Sequence, residues 1–124
     1  WGICTKIEKV DEWTIKYFET GSGGRPVQEF IDGLEVNART KARATLRLLR
    51  EFGFQIGGGY VKKVAGTDLW ELRILGEQSV RIFYVARSER TFWLLHGFVK
   101  KQQQTPKQEI KTVITRLKEL DLRL

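Results

Sequence analysis

The chain predicts an α+β domain with the element order β-α-α-β-β-β-α, helices packed against one antiparallel sheet. Three observations carry this. Runs rich in β-branched and aromatic residues, Leu69 to Leu75, Val80 to Ala86 and Thr91 to Lys101, follow one another with only Gly76–Ser79 and Arg87–Arg90 between them. Gaps that short are hairpin turns, so the three runs form an antiparallel meander. Helical periodicity precedes them, and a Thr105-Pro106 helix start with its own apolar stripe follows.

Taken in order, Trp1 to Asp11 show Ile3, Ile7 and Val10 at helical spacing over too short a span to define an element. Glu12 to Phe18 alternates Trp13, Ile15 and Tyr17 against Thr14 and Lys16, the pattern of a half-buried strand. Thr20 to Arg25 is a glycine-rich loop. Pro26 then suits the first turn of a helix over 26–35, with Val27, Phe30, Ile31 and Leu34 on one side. Asn37 is the expected cap of a second helix ending at Gly53. Its inner stripe is Ala38, Ala42, Thr45, Leu46, Leu49 and Phe52, and the two helices form an αα-hairpin. Phe54 to Gly59 reads as loop, and Tyr60 to Val64 as a lead into the meander. After it, Thr105 is the expected cap and Gln108 the capping-box residue of a helix buried through Ile110, Val113, Ile114, Leu117 and Leu120.

A chain of 124 residues is long enough for one two-layer core, so residues 1–124 read as one domain with 1–11 as a candidate N-terminal extension. The chain begins at Trp1 and has no Met, so the numbering is expected to start inside the natural polypeptide. No apolar run approaches a membrane span. The lone cysteine, Cys4, forms no intramolecular disulfide and fits a reducing, cytoplasmic setting. Charge is more informative. Twenty-two Lys and Arg against fifteen Asp and Glu give +7, which favours a polyanionic partner: nucleic acid, an acidic protein or an anionic membrane surface. The carboxylates do not cluster at metal-ligand spacings and there is one histidine, so no metal and no cofactor is expected.

Register decides which polar residues of the meander meet. A three-residue first loop, Gly76 to Gln78, sets Arg73 directly opposite Arg81 on one face. A four-residue second loop, pairing Ala86 with Thr91, sets His96 opposite Arg81. Such residues are either an anion site or solvated charges on the open face of a one-sided sheet. The row Arg39, Lys41, Arg43, Arg47 and Arg50 on the second helix likewise reads as an acidic-partner or nucleic-acid surface, or as a solvated face.

Strand lysines and arginines, one histidine, several tyrosines and few committed acids suit RNA cleavage by the 2′-hydroxyl. That reaction needs a proton acceptor, cations around the developing phosphorane, and a donor for the leaving 5′-oxygen.

The ordered segments Lys63-Val-Ala-Gly-Thr-Asp-Leu-Trp-Glu-Leu-Arg-Ile74, Val80-Arg-Ile-Phe-Tyr84, Leu95-His-Gly-Phe-Val-Lys-Lys101 and Thr105-Pro106 resemble the RelE/ParE toxin superfamily, in particular its phage-associated HigB-like branch. With Pro26 to Phe30 and the second helix, the resemblance spans roughly Trp13 to Leu120. It implies a ribosome-dependent endoribonuclease that cuts translated mRNA. It also implies a cognate antitoxin, commonly of helix-turn-helix type, binding it in a hetero-oligomer. By position, Arg73 and Arg81 match the phosphate-binding arginines, and Lys63, with Lys62 beside it, the basic residue before the meander. Lys100 and Lys101 match the basic pair after it, and His96 the branch's histidine. Arg43, Arg47 and Arg50 are taken as further RNA-binding residues. The resemblance assigns no general acid. A gyrase-directed ParE-like toxin and an inactive basic binding module are the alternatives.

Overall fold

The computed structural model describes residues 12–124; Cys4 and the helical spacing of Ile3, Ile7 and Val10 lie outside them. The expected architecture is present, with one strand more than the sequence pattern shows. The order is β1 (Thr14–Tyr17), α1 (Pro26–Asp32), α2 (Val36–Phe52), a 3-10 turn (Gly53–Ile56), β2 (Val61–Lys63), β3 (Leu69–Ile74), β4 (Val80–Arg87), β5 (Thr91–Val99) and α3 (Lys107–Arg123). The five strands form one sheet in the order β1-β5-β4-β3-β2. All neighbours are antiparallel except β1, which lies parallel to β5. β2 is the addition: the lysine-bearing lead into the meander pairs with β3 as a short edge strand, and short charged edges resist further pairing.

Both faces of the sheet are covered, by different helices. Leu72, Ile74, Val80, Ile82, Tyr84, Phe92 and Leu94 point to one face and bury Val27, Ile31, Ala38, Ala42, Leu46 and Leu49 of the helical hairpin. Leu69, Phe83, Val85, Leu95 and Phe98 point to the other and meet Val113 and Leu120 of α3. The meander's strands are therefore apolar on both sides, which is why they read as nearly continuous hydrophobic runs. The second face is not the open surface of a one-sided sheet; α3 covers part of it.

Three helix-end expectations need correction. α2 begins at Val36 with Glu35 in the cap position, so Asn37 lies inside the helix. Leu34, buried in the core, ties down the short connection just before α2. Pro106, not Thr105, caps α3, and its carbonyl accepts the amides of Glu109 and Ile110. Gln108 is therefore not in the capping-box position. Phe52 is about half exposed rather than part of the inner stripe. Gly53, at φ 55°, turns the chain there, and a side chain on it would run into the indole of Trp13. Phe54, immediately after Gly53, takes the packing role instead. Its ring lies 5.2 Å from Trp13, 5.5 Å from Trp70 and 5.4 Å from Phe92.

The second hairpin also differs. Arg87 pairs with Thr91, so the loop is the three residues Ser88 to Arg90, with Glu89 and Arg90 in left-handed conformation. A bulge then opens between Phe83 and Tyr84, where Tyr84 faces Leu94 but Phe83 faces His96. The extra residue, Leu95, joins the α3 core. These shifts place Phe98, not His96, opposite Arg81.

Candidate functional site

Arg73 and Arg81 are cross-strand partners, as the three-residue first loop requires. Glu71, two residues before Arg73 on the same strand, points to the same face. Its Oε1 lies 3.6 Å from Nε of Arg73 and 3.6 Å from Nε of Arg81. One carboxylate thus separates two cations that would otherwise repel across the ladder. β4 is the central strand, so Arg81 is only 10% exposed in its side chain, whereas Arg73 is one-third exposed. The two arginines share one face, as the register predicts, but the expectation that both are exposed is corrected: Arg81 is buried, because it lies on the central strand of the face that α3 covers.

The hydrogen bonding of the pair is incomplete. Nη1 of Arg81 donates to the Val80 carbonyl at 3.1 Å. The Nε of each arginine is buried and has no hydrogen-bond partner, since Glu71 is close enough to attract but not to accept a good bond. Burial pulls the Arg81 guanidinium below its ordinary range and Arg73 adds to this, while Glu71 opposes. Two positive groups with unpartnered Nε atoms, one side chain partly open to solvent, have the chemistry that pairs with an oxyanion.

The lysines divide. Lys62 lies opposite Glu71 in the β2–β3 ladder and shares the face of Arg73 and Arg81. Lys63 lies opposite Trp70 on the helical-hairpin face, with its ammonium 5.1 Å from the centre of the Trp70 ring. Lys63 is therefore not brought to the arginine pair; its neighbour is. The amide of Lys100 donates to the Ser79 carbonyl, which carries the β5 ladder one residue beyond Val99 and sets Lys100 on the face of Phe98 and Arg81. Lys101 is exposed beyond the strand end.

His96 points to the α3 face, next to Phe98, whose ring it stacks on at 5.9 Å. Both of its nitrogens are taken. Nε2 lies 2.6 Å from Glu109 Oε1, and Nδ1 lies 3.1 Å from Nη1 of Arg116, which also donates to the Leu95 carbonyl at 2.9 Å. A guanidinium can only donate, so Nδ1 accepts and the ring proton sits on Nε2, directed at Glu109. Burial lowers the His96 pKa and Arg116 lowers it further, against the pull of Glu109. The ring is a clasp between β5 and α3. Glu109 and Arg116 are residues sequence reasoning missed. Their seven-residue spacing places them on one flank of α3, yet nothing in it says which strand lies beneath.

The α2 arginines stand on the other side of the sheet. Arg43 bonds Asp32 at 2.9 Å, Arg50 lies 3.9 Å from Glu12, and Arg47 is exposed. Among the described residues no group of three or more His, Cys, Asp or Glu has the arrangement of a metal site, and no helix is long and apolar enough to cross a membrane.

A comparison with curated proteins finds no match. The family model described as phage-derived protein Gp49-like matches residues 29–118, from within α1 to Lys118 in α3. That segment contains every strand of the meander and the whole arginine–carboxylate cluster. The chain belongs to the Gp49-like family of phage-derived proteins.

Proposed function

We propose that the protein is the toxin of a type II toxin–antitoxin pair, of the HigB-like kind, which cuts mRNA on the translating ribosome and is silenced by a cognate antitoxin. The fold is consistent with RelE-like toxins, and the Gp49-like family is of that kind. The observation that carries the reading is the Arg73–Arg81 pair. Two guanidiniums share one carboxylate, and the Nε of each is buried without a hydrogen-bond partner.

In this reading a scissile phosphate seats its non-bridging oxygens on the two arginines. The 2′-oxygen of the preceding ribose attacks phosphorus and the bond to the 5′-oxygen breaks. The products are a 2′,3′-cyclic phosphate and a 5′-hydroxyl. The 2′-hydroxyl gives up its proton and the 5′-oxygen receives one, so the reaction consumes neither metal nor cofactor. Charge grows on the non-bridging oxygens in the transition state, where preformed donors count most. Lys62 and Lys100 flank the pair on the same face and supply further positive field. His96, with both nitrogens engaged, holds the wall of the site through its stack on Phe98. The antitoxin would act by excluding the protein from the ribosome, with partial cover of the cleft.

The test is purified protein added to translating ribosomes, with mRNA ends mapped. Wild type is expected to leave 5′-hydroxyl fragments, and Arg73→Ala and Arg81→Ala to lose at least ~10²-fold in rate. Intact mRNA with wild type overturns the proposal, and trapped gyrase–DNA complexes in its place would assign the protein to the gyrase-directed toxins.

A further inference from the structure

We propose that the flank of α3 carrying Lys107, Lys111, Ile114 and Lys118 is the track along which the RNA strand runs from the Arg73–Arg81 site; this rests on the function proposed above and adds the path of the substrate. At 100° per residue these positions, i, i+4, i+7 and i+11, form one stripe along the helix.

Ion pairs at the far end orient the stripe. Asp121, seven residues beyond Ile114, continues it. Both oxygens of Asp121 accept from Arg87 at the end of β4, and Arg87 also lies 3.6 Å from Asp68, just before β3. The opposite flank carries Glu109, Arg116 and Arg123 at seven-residue intervals. These reach His96, the Leu95 carbonyl and the Glu19 carbonyl, on the side of β5 and β1. α3 therefore lies along the sheet with its lysine flank toward β3 and β2, the strands that bear Glu71, Arg73 and Lys62. Its first turn follows Lys100 and Lys101 after a short loop, so the lysines begin at the site end and lead away from it.

The flank is electrostatically uncompensated. The acids of α3 are committed elsewhere: Glu109 to His96, Glu119 to Arg123 and Asp121 to Arg87. Lys107, Lys111 and Lys118 are exposed and form no ion pair among the described residues. An open concavity of about 540 Å³ lies among them, lined also by Ile110, Ile114, Thr105 and Thr115. Charges in a row over an apolar surface suit a strand whose phosphates meet the lysines while its bases turn inward. From Lys107 to Lys118 the helix rises about 16 Å, the length of a few nucleotides.

The α2 arginines cannot extend the same path. α2 packs on the opposite sheet face, so a strand held at Arg73 and Arg81 would have to pass round the sheet edge to meet them. Arg43 and Arg50 are moreover partly neutralised by Asp32 and Glu12.

The experiment compares the full chain with two triple variants, Lys107→Gln/Lys111→Gln/Lys118→Gln and Arg43→Gln/Arg47→Gln/Arg50→Gln. A labelled single-stranded RNA is titrated across salt concentrations, with ribosomal cleavage measured in parallel. Each single-strand phosphate contact contributes roughly 0.7 to the slope of log affinity on log salt, so the α3 variant is expected to lose about 2 in slope and the α2 variant none. All six positions are exposed, so folding survives, and thermal melts verify it. A slope lost in the α2 variant instead, or unchanged in both, overturns the inference. The function stands in that case if wild type still cuts and Arg81→Ala does not. An α3 variant that binds RNA normally but loses an acidic protein partner marks the stripe as a protein-docking surface and also overturns it. Wild type that neither binds nor cuts RNA ends both proposals.

Discussion

Arg73 and Arg81 face each other directly across the β3–β4 ladder, and a single Glu71 oxygen 3.6 Å from each Nε keeps them together. Two guanidiniums this close would expel each other without that carboxylate. Glu71 holds the site together, and it also competes with any incoming phosphate.

Glu71→Gln removes the shared counter-charge and leaves Arg81 buried beside another cation. Breaking a buried ion pair costs about 3–5 kcal/mol, and the partial exposure of Arg73 brings the expectation to roughly 3 kcal/mol. Urea denaturation measures it. Added phosphate should restore more stability to the variant than to wild type, because the anion replaces the lost charge. A loss below about 0.5 kcal/mol contradicts the pairing.

Among the lysines, Lys62→Ala is expected to impair cleavage more than Lys63→Ala. Only Lys62 shares the face of the arginines, while Lys63 lies over Trp70 on the other. Arg81→Lys should not rescue Arg81→Ala, because an ammonium does not reproduce the guanidinium fork. Cleavage rates on translating ribosomes decide both comparisons, and equal rates for the two lysine variants would contradict the face assignment.

His96 predicts a pH dependence of stability. Its folded-state pKa is lowered, chiefly by burial and then by Arg116. Between the ordinary value near 6.5 and the lower folded value, the unfolded chain binds the proton and the folded chain resists it. The contribution is therefore complete above the ordinary value and is lost as pH falls through that window. Denaturation midpoints from about pH 7.5 to 5.5 should fall more steeply for wild type than for His96→Gln. Parallel profiles would remove His96 as the cause.

Arg116→Met deletes the donor to the Leu95 carbonyl and to His96 Nδ1, and is expected to cost about 1–3 kcal/mol. Hydrogen exchange should show α3 amides opening faster while the α1–α2 hairpin stays protected, since the two pack on opposite faces. Equal acceleration throughout would mean the clasp is not local.

Phe54→Ala is expected to cost about 2 kcal/mol and Phe52→Ala under about 0.5 kcal/mol. Both side chains are about half exposed, but only Phe54 packs against Trp13, Trp70 and Phe92. Thermal melts of the two variants compare them directly.

Local pattern alone determined the meander, the helical hairpin, the C-terminal helix and the opposition of Arg73 to Arg81. Each depends on period or on a short turn, and both are written in neighbouring residues. Tertiary structure decided the rest. Three residues of Lys-bearing chain carry too little periodicity to read as a strand, and β2 exists because the edge of β3 offers it partners. That pairing, not the order along the chain, put Lys62 rather than Lys63 with the arginines. His96 moved from Arg81 to Phe83 because a shorter loop and one bulge shift every later pair, and a period of two carries no mark of such a shift. The side of the sheet each helix covers depends on how the chain crosses, which an amphipathic stripe does not encode. For that reason the arginines of α2 and the lysines of α3, equally basic in sequence, stand on opposite faces, and only the lysines share one with the arginine pair.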